Sequence, residues 1–363
     1  MTRIVDVTAE RVSVPLHTPF VTALRRTETT DAVLVRVTDS DGAIGWGEAP
    51  QVWQVTGESL AGAESCLRGP LAAVVLGTDA DDLAGTCRAV AGAVAANPGA
   101  KGALDVALHD LAARRRGVSL PVFLGSTCHR VGTDVTLAAG DAGALAETAK
   151  ARVGEGFGVL KMKVGTDAAT DAARVAAVRA AVGDDVAIRL DANQGWTPRE
   201  AVRVISALED QDLGVELVEQ PVAAADLDGL AWVTSRVSTP VMADESVYGL
   251  RDLVEVIRRR AADLVNVKLA KCGGLSTGRA LLDLARAHQM GTAVGSMMET
   301  HVGVGAAASL AAACGTSVVA DLDAAWWAAG SPYVGGLSYD GATVVLPDAP
   351  GLGIEGLRSK VQR

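Results

Sequence analysis

The 363-residue chain is predicted to be an α/β protein: a TIM-type (β/α) barrel with an α+β capping domain built from the N-terminal region and the C-terminal tail. Three observations predict this. Short apolar strands alternate with helical stretches from about residue 130 onward. A polar residue recurs near the C-terminal end of successive strands at a steady interval. Both ends of the chain read instead as strand and turn.

In order, "RIVDVTAERVSVPL", "DAVLVRVTDS" and "GAIGWGEAP" read as three strands of an antiparallel meander. Helical patterns follow through "GALDVALHDLAARRRG", where apolar residues recur at three and four. "GVSLPVFLGST" reads as a connector, with Pro121 ending regular structure. Eight strands then alternate with helices: "DVTLAAG", "VLKMKVG", "VAIRLDANQ", "VELVEQP", "PVMADES", "LVNVKLA", "TAVGSMME" and "VVADLD". Lys163, Asp191, Glu219, Asp244 and Lys268 follow one another at intervals of 28, 28, 25 and 24 residues. A strand, a helix and two short loops need about that much chain. Strands buried on both faces and alternating with helices imply a parallel sheet, and eight units imply a closed barrel. An open doubly wound sheet is the alternative, but no G-x-G-x-x-G follows the early strands. "GGLSYDGATVVLPDAPGLGIEG" returns to strand and turn and is expected to pack on the N-terminal domain. The expected division is 1–125 capping domain, 126–325 barrel and 326–363 returning segment.

Composition narrows the partners. At 49% hydrophobic and 21% charged, the chain is globular rather than disordered. It has no eighteen-residue apolar run and its N-terminus lacks a signal-peptide core, so no membrane is expected. A net charge of −10 argues against nucleic acid. Cys66, Cys87, Cys128, Cys272 and Cys314 are odd in number and never form CxxC, which fits reduced thiols in a cytoplasmic protein. A small-molecule substrate is expected, and assembly into a homo-oligomer stays open.

In a barrel the chemistry sits at the C-terminal strand ends. Those ends read Lys161/Lys163, Asp191, Glu219, Asp244, Lys268, Glu299 and Asp321/Asp323. Three convergent acids, Asp191, Glu219 and Asp244, are costly to bury unpaired. A hard divalent cation such as Mg²⁺ accepts them. Singly, each could equally be a barrel-mouth salt-bridge partner.

Lysine use points the same way. Of 33 basic residues only seven are Lys, and four of those fall in "KMK" and "KLAK". Arg stays protonated, whereas a buried Lys can lose its proton. At pH 7 only about one free Lys in 2,500 is neutral, so a lysine base needs a depression of roughly three pH units. Burial and a neighbouring ammonium both push that way. Lys161 supplies the neighbour for Lys163, and the metal and burial are expected to help Lys268. The alternative for the K-x-K pair is a snorkelling pair on an edge strand. Lys271, at the next turn, reads as structural. "KCGGLSTG" lacks the phosphate-loop order and reads as a tight turn into the sixth helix.

The motifs "KMK", "LDANQGW", "VEQP", "ADES" and "NVKLAKCGG", in this order and spacing, resemble the enolase superfamily in its muconate-lactonizing-enzyme-like branch. Proteins of this superfamily use a Lys or His base with Mg²⁺ to stabilise an ene-diolate, a general mechanism already well described. The resemblance implies that Asp191, Glu219 and Asp244 hold Mg²⁺. It implies that Lys163 and Lys268 are acid/base catalysts on opposite faces of an α-carbon. Lys161 would hold the substrate carboxylate and lower the pKa of Lys163. The His–Asp pair of the mandelate-racemase branch is disfavoured by Lys268, leaving His288 and His301 as structural. Asp321 and Asp323 share a strand face and suit a substrate ammonium. The D-x-D resembles that of dipeptide epimerases, which implies inversion at the α-carbon of the C-terminal residue of a dipeptide. Thr136, Ser296 and Met298 correspond to positions lining that dipeptide. The run "AAWW" after Asp323 departs from the branch's usual Gly/Ala-Pro-Leu. In "TPFVTALRRTET", Arg25 resembles the Arg that binds a side-chain carboxylate in Ala-Glu epimerases; a solvated surface Arg is the alternative. Trp53 would cover the substrate or anchor its loop. N-acylamino acid racemase, o-succinylbenzoate synthase and muconate cycloisomerase share the lysines and acids but need no ammonium site. A non-catalytic barrel is a further alternative, and the intact acids and lysines oppose it.

Overall fold

The computed structural model describes residues 1–21, 26–138 and 140–358. Strands β1 (Ile4–Val21), β2 (Arg26–Asp39) and β3 (Ile44–Pro50) form the expected antiparallel meander. The first two run further than the sequence predicts: pairing reaches Val21↔Arg26, within the expected capping loop. The register shifts between Pro15 and Phe20, next to a residue with no amide hydrogen for a ladder.

A helix, Pro98–Arg115, lies directly on β3. A Cβ at Gly45 would stand 2.0 Å from the Ala107 carbonyl oxygen, and one at Gly47 1.8 Å from that of Ala103. Only glycine permits that approach, which accounts for the "GAIGWG" spelling. The helix is buried almost all round. Leu104 and Leu111 join Val33, Val35, Leu67 and Leu71 in a core separate from that of the barrel. Pro121 does not end regular structure; it sits in the first turn of a short helix, Leu120–Phe123, where its missing N–H is harmless.

After β4 (Arg130–Gly132) come seven strands, each followed by a helix: β5 (Val135–Leu137), β6 (Val159–Lys163), β7 (Ala187–Asp191), β8 (Val215–Glu219), β9 (Val241–Ala243), β10 (Leu264–Lys268) and β11 (Gly291–Gly295). They form one curled parallel sheet in sequence order. The expected eighth strand is not a ladder. Ala320 makes one parallel bridge to Thr133, and Asp321 makes one to Gly295. Beyond Asp323 the chain turns, Trp326 N–H donating to the Asp323 carbonyl at 2.9 Å, and pairs with the capping strand instead. His17 N–H donates to the Trp327 carbonyl at 2.9 Å, and Ala329 N–H to that of Pro15 at 2.8 Å. "KCGGLSTG" is the expected turn: Gly273 and Gly274 have φ of 86° and 108°, and a helix begins at Leu275.

The tail supplies β12 (Tyr333–Gly335), β13 (Ser338–Asp340), β14 (Thr343–Val345) and β15 (Ile354–Leu357). β12 pairs with β15, and β14 lies between β13 and β4. Asp110, fully buried on the Pro98–Arg115 helix, ties the ends together. It accepts from the Trp46 amide at 2.8 Å and the Leu352 amide at 2.5 Å. Arg114 bridges the same carboxylate at 2.9 Å and donates to the Ile354 carbonyl at 2.7 Å. The five cysteines are unpaired thiols, and no helix among the described residues is long and apolar enough to cross a membrane.

Candidate active site

Strand register decides which side chains meet. Parallel pairing sets Lys163 beside Asp191, and Asp191 beside Glu219. Residues in register across neighbouring strands point to the same face. Asp244 follows β9 at once, and Lys268 ends β10. All are buried.

The lysines close on the acids from two sides. Lys161 Nζ lies 2.5 Å from Glu219 Oε2, 2.9 Å from Asp321 Oδ2 and 3.1 Å from Asp191 Oδ2. Lys163 Nζ lies 2.6 Å from the same Asp191 oxygen. An acid therefore bridges the paired lysines, so their like charges do not face each other unscreened. Lys268 Nζ lies 2.9 Å from Asp244 Oδ2, 3.8 Å from Glu219 Oε1 and 3.9 Å from Asp321 Oδ2. Gly295 makes room for it: a Cβ there would be 3.0 Å from Lys268 Cε.

Electrostatics differ from expectation at Lys268. Burial pulls its ammonium down, but the Asp244 and Glu219 carboxylates outweigh burial and hold it above the ordinary lysine range. Lys161 is raised in the same way, against burial, by Asp321, Glu219 and Asp191, as suits a group meant to stay charged. Burial works against ionised Asp191 and Asp244, yet the lysines prevail and hold both carboxyls well below the usual range.

Sequence reasoning missed a supporting layer. Asn266 Nδ2 donates to Glu219 Oε1 at 3.0 Å. It stands two residues before Lys268 on β10, so period-two alternation could have found it. Gln220 Oε1 accepts from the Asp244 and Ser246 amides at 2.9 and 3.1 Å. Asn193 N–H donates to Asp191 Oδ1 at 2.9 Å. Lys271, read as structural, is buried and donates to Asp244. Glu245 was not singled out either. Burial first, then the charges of Asp244 and Asp191, push its carboxyl up to about 8.

The donor chemistry of the ring fits a metal. Asp191, Glu219 and Asp244 present hard oxygen donors from three adjacent strands, the chemistry that Mg²⁺ selects. Beside them Glu245 Oε2 is buried with no hydrogen-bond partner. The donor set suits a divalent cation held by Asp191, Glu219 and Asp244.

The cavity above this ring is lined by Thr136, Lys163, Lys268, Ser296, Met298, Asp321 and Asp323. Phe20, Val52, Gln54 and Val55 of the capping region form its other wall. The Thr136 amide donates to Asp323 Oδ2 at 2.8 Å, and the Ser296 amide to the Asp321 carbonyl at 2.9 Å. Lys161, Lys268 and Lys163 overcome burial and hold Asp321 below its ordinary pKa. Asp323 is raised by burial and by Asp321. Arg25 lies outside the described residues. Arg26 is exposed and pairs with Glu28 at 3.2 Å. Trp53 is 57% exposed and shares a neighbouring recess with Arg26, away from the lysines.

Two family profiles match the chain: the mandelate racemase / muconate lactonizing enzyme N-terminal domain over residues 4–125, and the enolase C-terminal domain-like family over residues 144–360. The L-Ala-D/L-Glu epimerase of Bacillus subtilis is 41% identical, covering 98% of this chain and 97% of its own. The hydrophobic dipeptide epimerase of Enterococcus faecalis is 38% identical, covering 94% and 96%. A substrate-liganded complex of the B. subtilis epimerase superposes with a TM-score of 0.96 at 41% identity, over 98% of this chain and 100% of that one. The E. faecalis dipeptide epimerase, complexed with Mg and the dipeptide L-Leu-L-Tyr, gives 0.92 at 37% identity, over 97% and 99%.

Proposed function

The chain belongs to the enolase superfamily, in its mandelate racemase / muconate lactonizing enzyme branch, and on that premise we propose that it is a Mg²⁺-dependent dipeptide epimerase. It inverts the α-carbon of the C-terminal residue by 1,1-proton transfer, with L-Ala-D/L-Glu as the substrate type. The supporting observation is the joint placement of two lysine sites on either side of three acids, under a cavity that also holds Asp321 and Asp323.

Lys163 and Lys268 are assigned as the two proton carriers. One removes the α-proton as a neutral amine, and the other, protonated, delivers a proton to the opposite face. Lys161, held charged by Glu219, Asp321 and Asp191, is assigned to the substrate carboxylate. Asp321 and Asp323 are assigned to the free α-ammonium, and Thr136, Ser296 and Met298 to the walls around the dipeptide. Arg25 is proposed for the acidic side chain, where a guanidinium can pair with a carboxylate in bidentate fashion. Asp191, Glu219 and Asp244 would hold Mg²⁺, whose positive charge would stabilise the anion left when the α-proton departs. Carboxylates engaged in that way would hold Lys268 protonated less strongly.

The division 1–125, 126–325 and 326–363 is proposed for the capping domain, the barrel and the returning segment. A cytoplasmic setting suits five unpaired thiols. The test is incubation with Mg²⁺ and a panel of L,L-dipeptides in D₂O, followed by NMR. Deuterium at the C-terminal α-carbon with accumulation of the L,D epimer is expected. No exchange with any dipeptide of a broad panel would sink the reading.

A further inference from the structure

Asp323 is aimed by a residue the reaction scheme does not use. Its Oδ2 accepts from the Thr136 amide at 2.8 Å and from the indole Nε1 of Trp327 at 2.9 Å. Trp327 is 2% exposed. Its ring stacks on His17 (centroids 5.3 Å apart, 18°) and meets Phe20 edge-on (5.6 Å, 76°). The Arg152 guanidinium stands 5.5 Å from the same ring. Phe20 in turn forms part of the cavity wall contributed by the capping strand. One indole thus touches both an acid of the site and a residue that covers it.

A carboxylate offers two oxygens. With Oδ2 engaged by two N–H groups, Oδ1 is the oxygen of Asp323 left for a ligand in the cavity. We propose that Trp327 is a positioning residue for the ammonium site. Its indole N–H fixes the Asp323 carboxylate with Oδ1 toward the substrate, and its ring seats Phe20 over the bound dipeptide. The departure "AAWW" after the D-x-D thereby acquires a role, joining substrate recognition to the capping strand. This rests on the dipeptide reading above.

Trp327→Phe tests it, because it keeps an aromatic ring against His17 and Phe20 but deletes the N–H. A hydrogen bond to a charged acceptor is typically worth enough to change binding by about tenfold or more. KM for L-Ala-L-Glu is expected to rise by about that factor, while kcat moves by less than about twofold because the lysines and metal ligands are untouched. In an Asp323→Asn background the same substitution is expected to change KM by less than about twofold, since the two act as one unit. Wild-type turnover with an unchanged KM in Trp327→Phe overturns the proposal. So does an equal increment in both backgrounds, which is what a purely structural indole would give. A wild-type protein that epimerises no dipeptide overturns the reaction and this proposal together.

Discussion

The Lys271 ammonium donates to Asp244 twice, to its carboxylate and to its backbone carbonyl, from a position only 1% exposed. One lysine thus fixes both the side chain and the main chain of an acid at the centre of the ring, while Lys268 reaches the other carboxylate oxygen at 2.9 Å.

Lys271→Met therefore strands part of a buried charge. Removing one partner of a buried pair costs about 3–5 kcal/mol. A bound divalent cation would supply the missing positive charge, and ligand binding stabilises by mass action. Melting curves should show a lower Tm for the variant and a larger rise in Tm on adding Mg²⁺ than in the wild type. Equal Mg²⁺ increments in both proteins would contradict the link between Lys271 and the metal site.

Lys163→Ala and Lys268→Ala should fail differently. Each should reduce epimerisation by about 10²–10⁴-fold, the usual scale of general acid–base catalysis. Each should still exchange the α-hydrogen of the one epimer that faces its remaining lysine. NMR in D₂O with separate L,L and L,D dipeptides reads this directly. A Lys163→Ala protein exchanging both epimers at the full rate would rule out two bases.

Asp321→Asn should damage catalysis more than Asp323→Asn. Asp321 also holds Lys161 at 2.9 Å, whereas Asp323 is anchored by neutral N–H groups. The expected losses in kcat/KM are on the order of 100-fold and tenfold, respectively, from charge-assisted contacts. Steady-state kinetics on L-Ala-L-Glu checks the order. Equal or reversed losses would separate Asp321 from the lysine it grips.

Glu299 makes stability fall as pH rises. Burial, with the Glu48 charge behind it, pushes its carboxyl from 4.5 up to about 8. Between those limits the unfolded chain has released this proton and the folded one retains it, so unfolding is favoured by alkali in that window. Across the whole window the contribution is on the order of 5 kcal/mol. Glu299→Gln should remove it, so urea unfolding at pH 5 and pH 8.5 should show a smaller loss than in the wild type. Parallel pH slopes would assign the dependence to other groups.

The ring of acids and lysines was legible because parallel strands repeat. A steady interval of 24 to 28 residues places polar strand ends side by side whatever the helices between them say. That is enough to find Lys163, Asp191, Glu219, Asp244 and Lys268. The eighth strand was not legible. "VVADLD" has strand composition, but it makes only single parallel bridges, to Thr133 and Gly295, before the chain turns away after Asp323, a tertiary choice that local pattern does not encode. The same limit hid Gln220, Glu245 and the partner of Trp327, whose roles depend on which backbone amide or carboxylate lies opposite. The Lys268 expectation rested on the metal and on burial and omitted the acids within 4 Å of its nitrogen.

The clasp at Asp110 makes the first sheet depend on a distant segment. Its carboxylate needs the amide of Leu352, and its neighbour Arg114 needs the carbonyl of Ile354. Both lie some 240 residues downstream, close to the last strand. Without that segment the first sheet can pair, but its central helix holds a buried acid short of one donor. The first sheet is thus completed only by a segment that lies beyond the whole barrel in the chain.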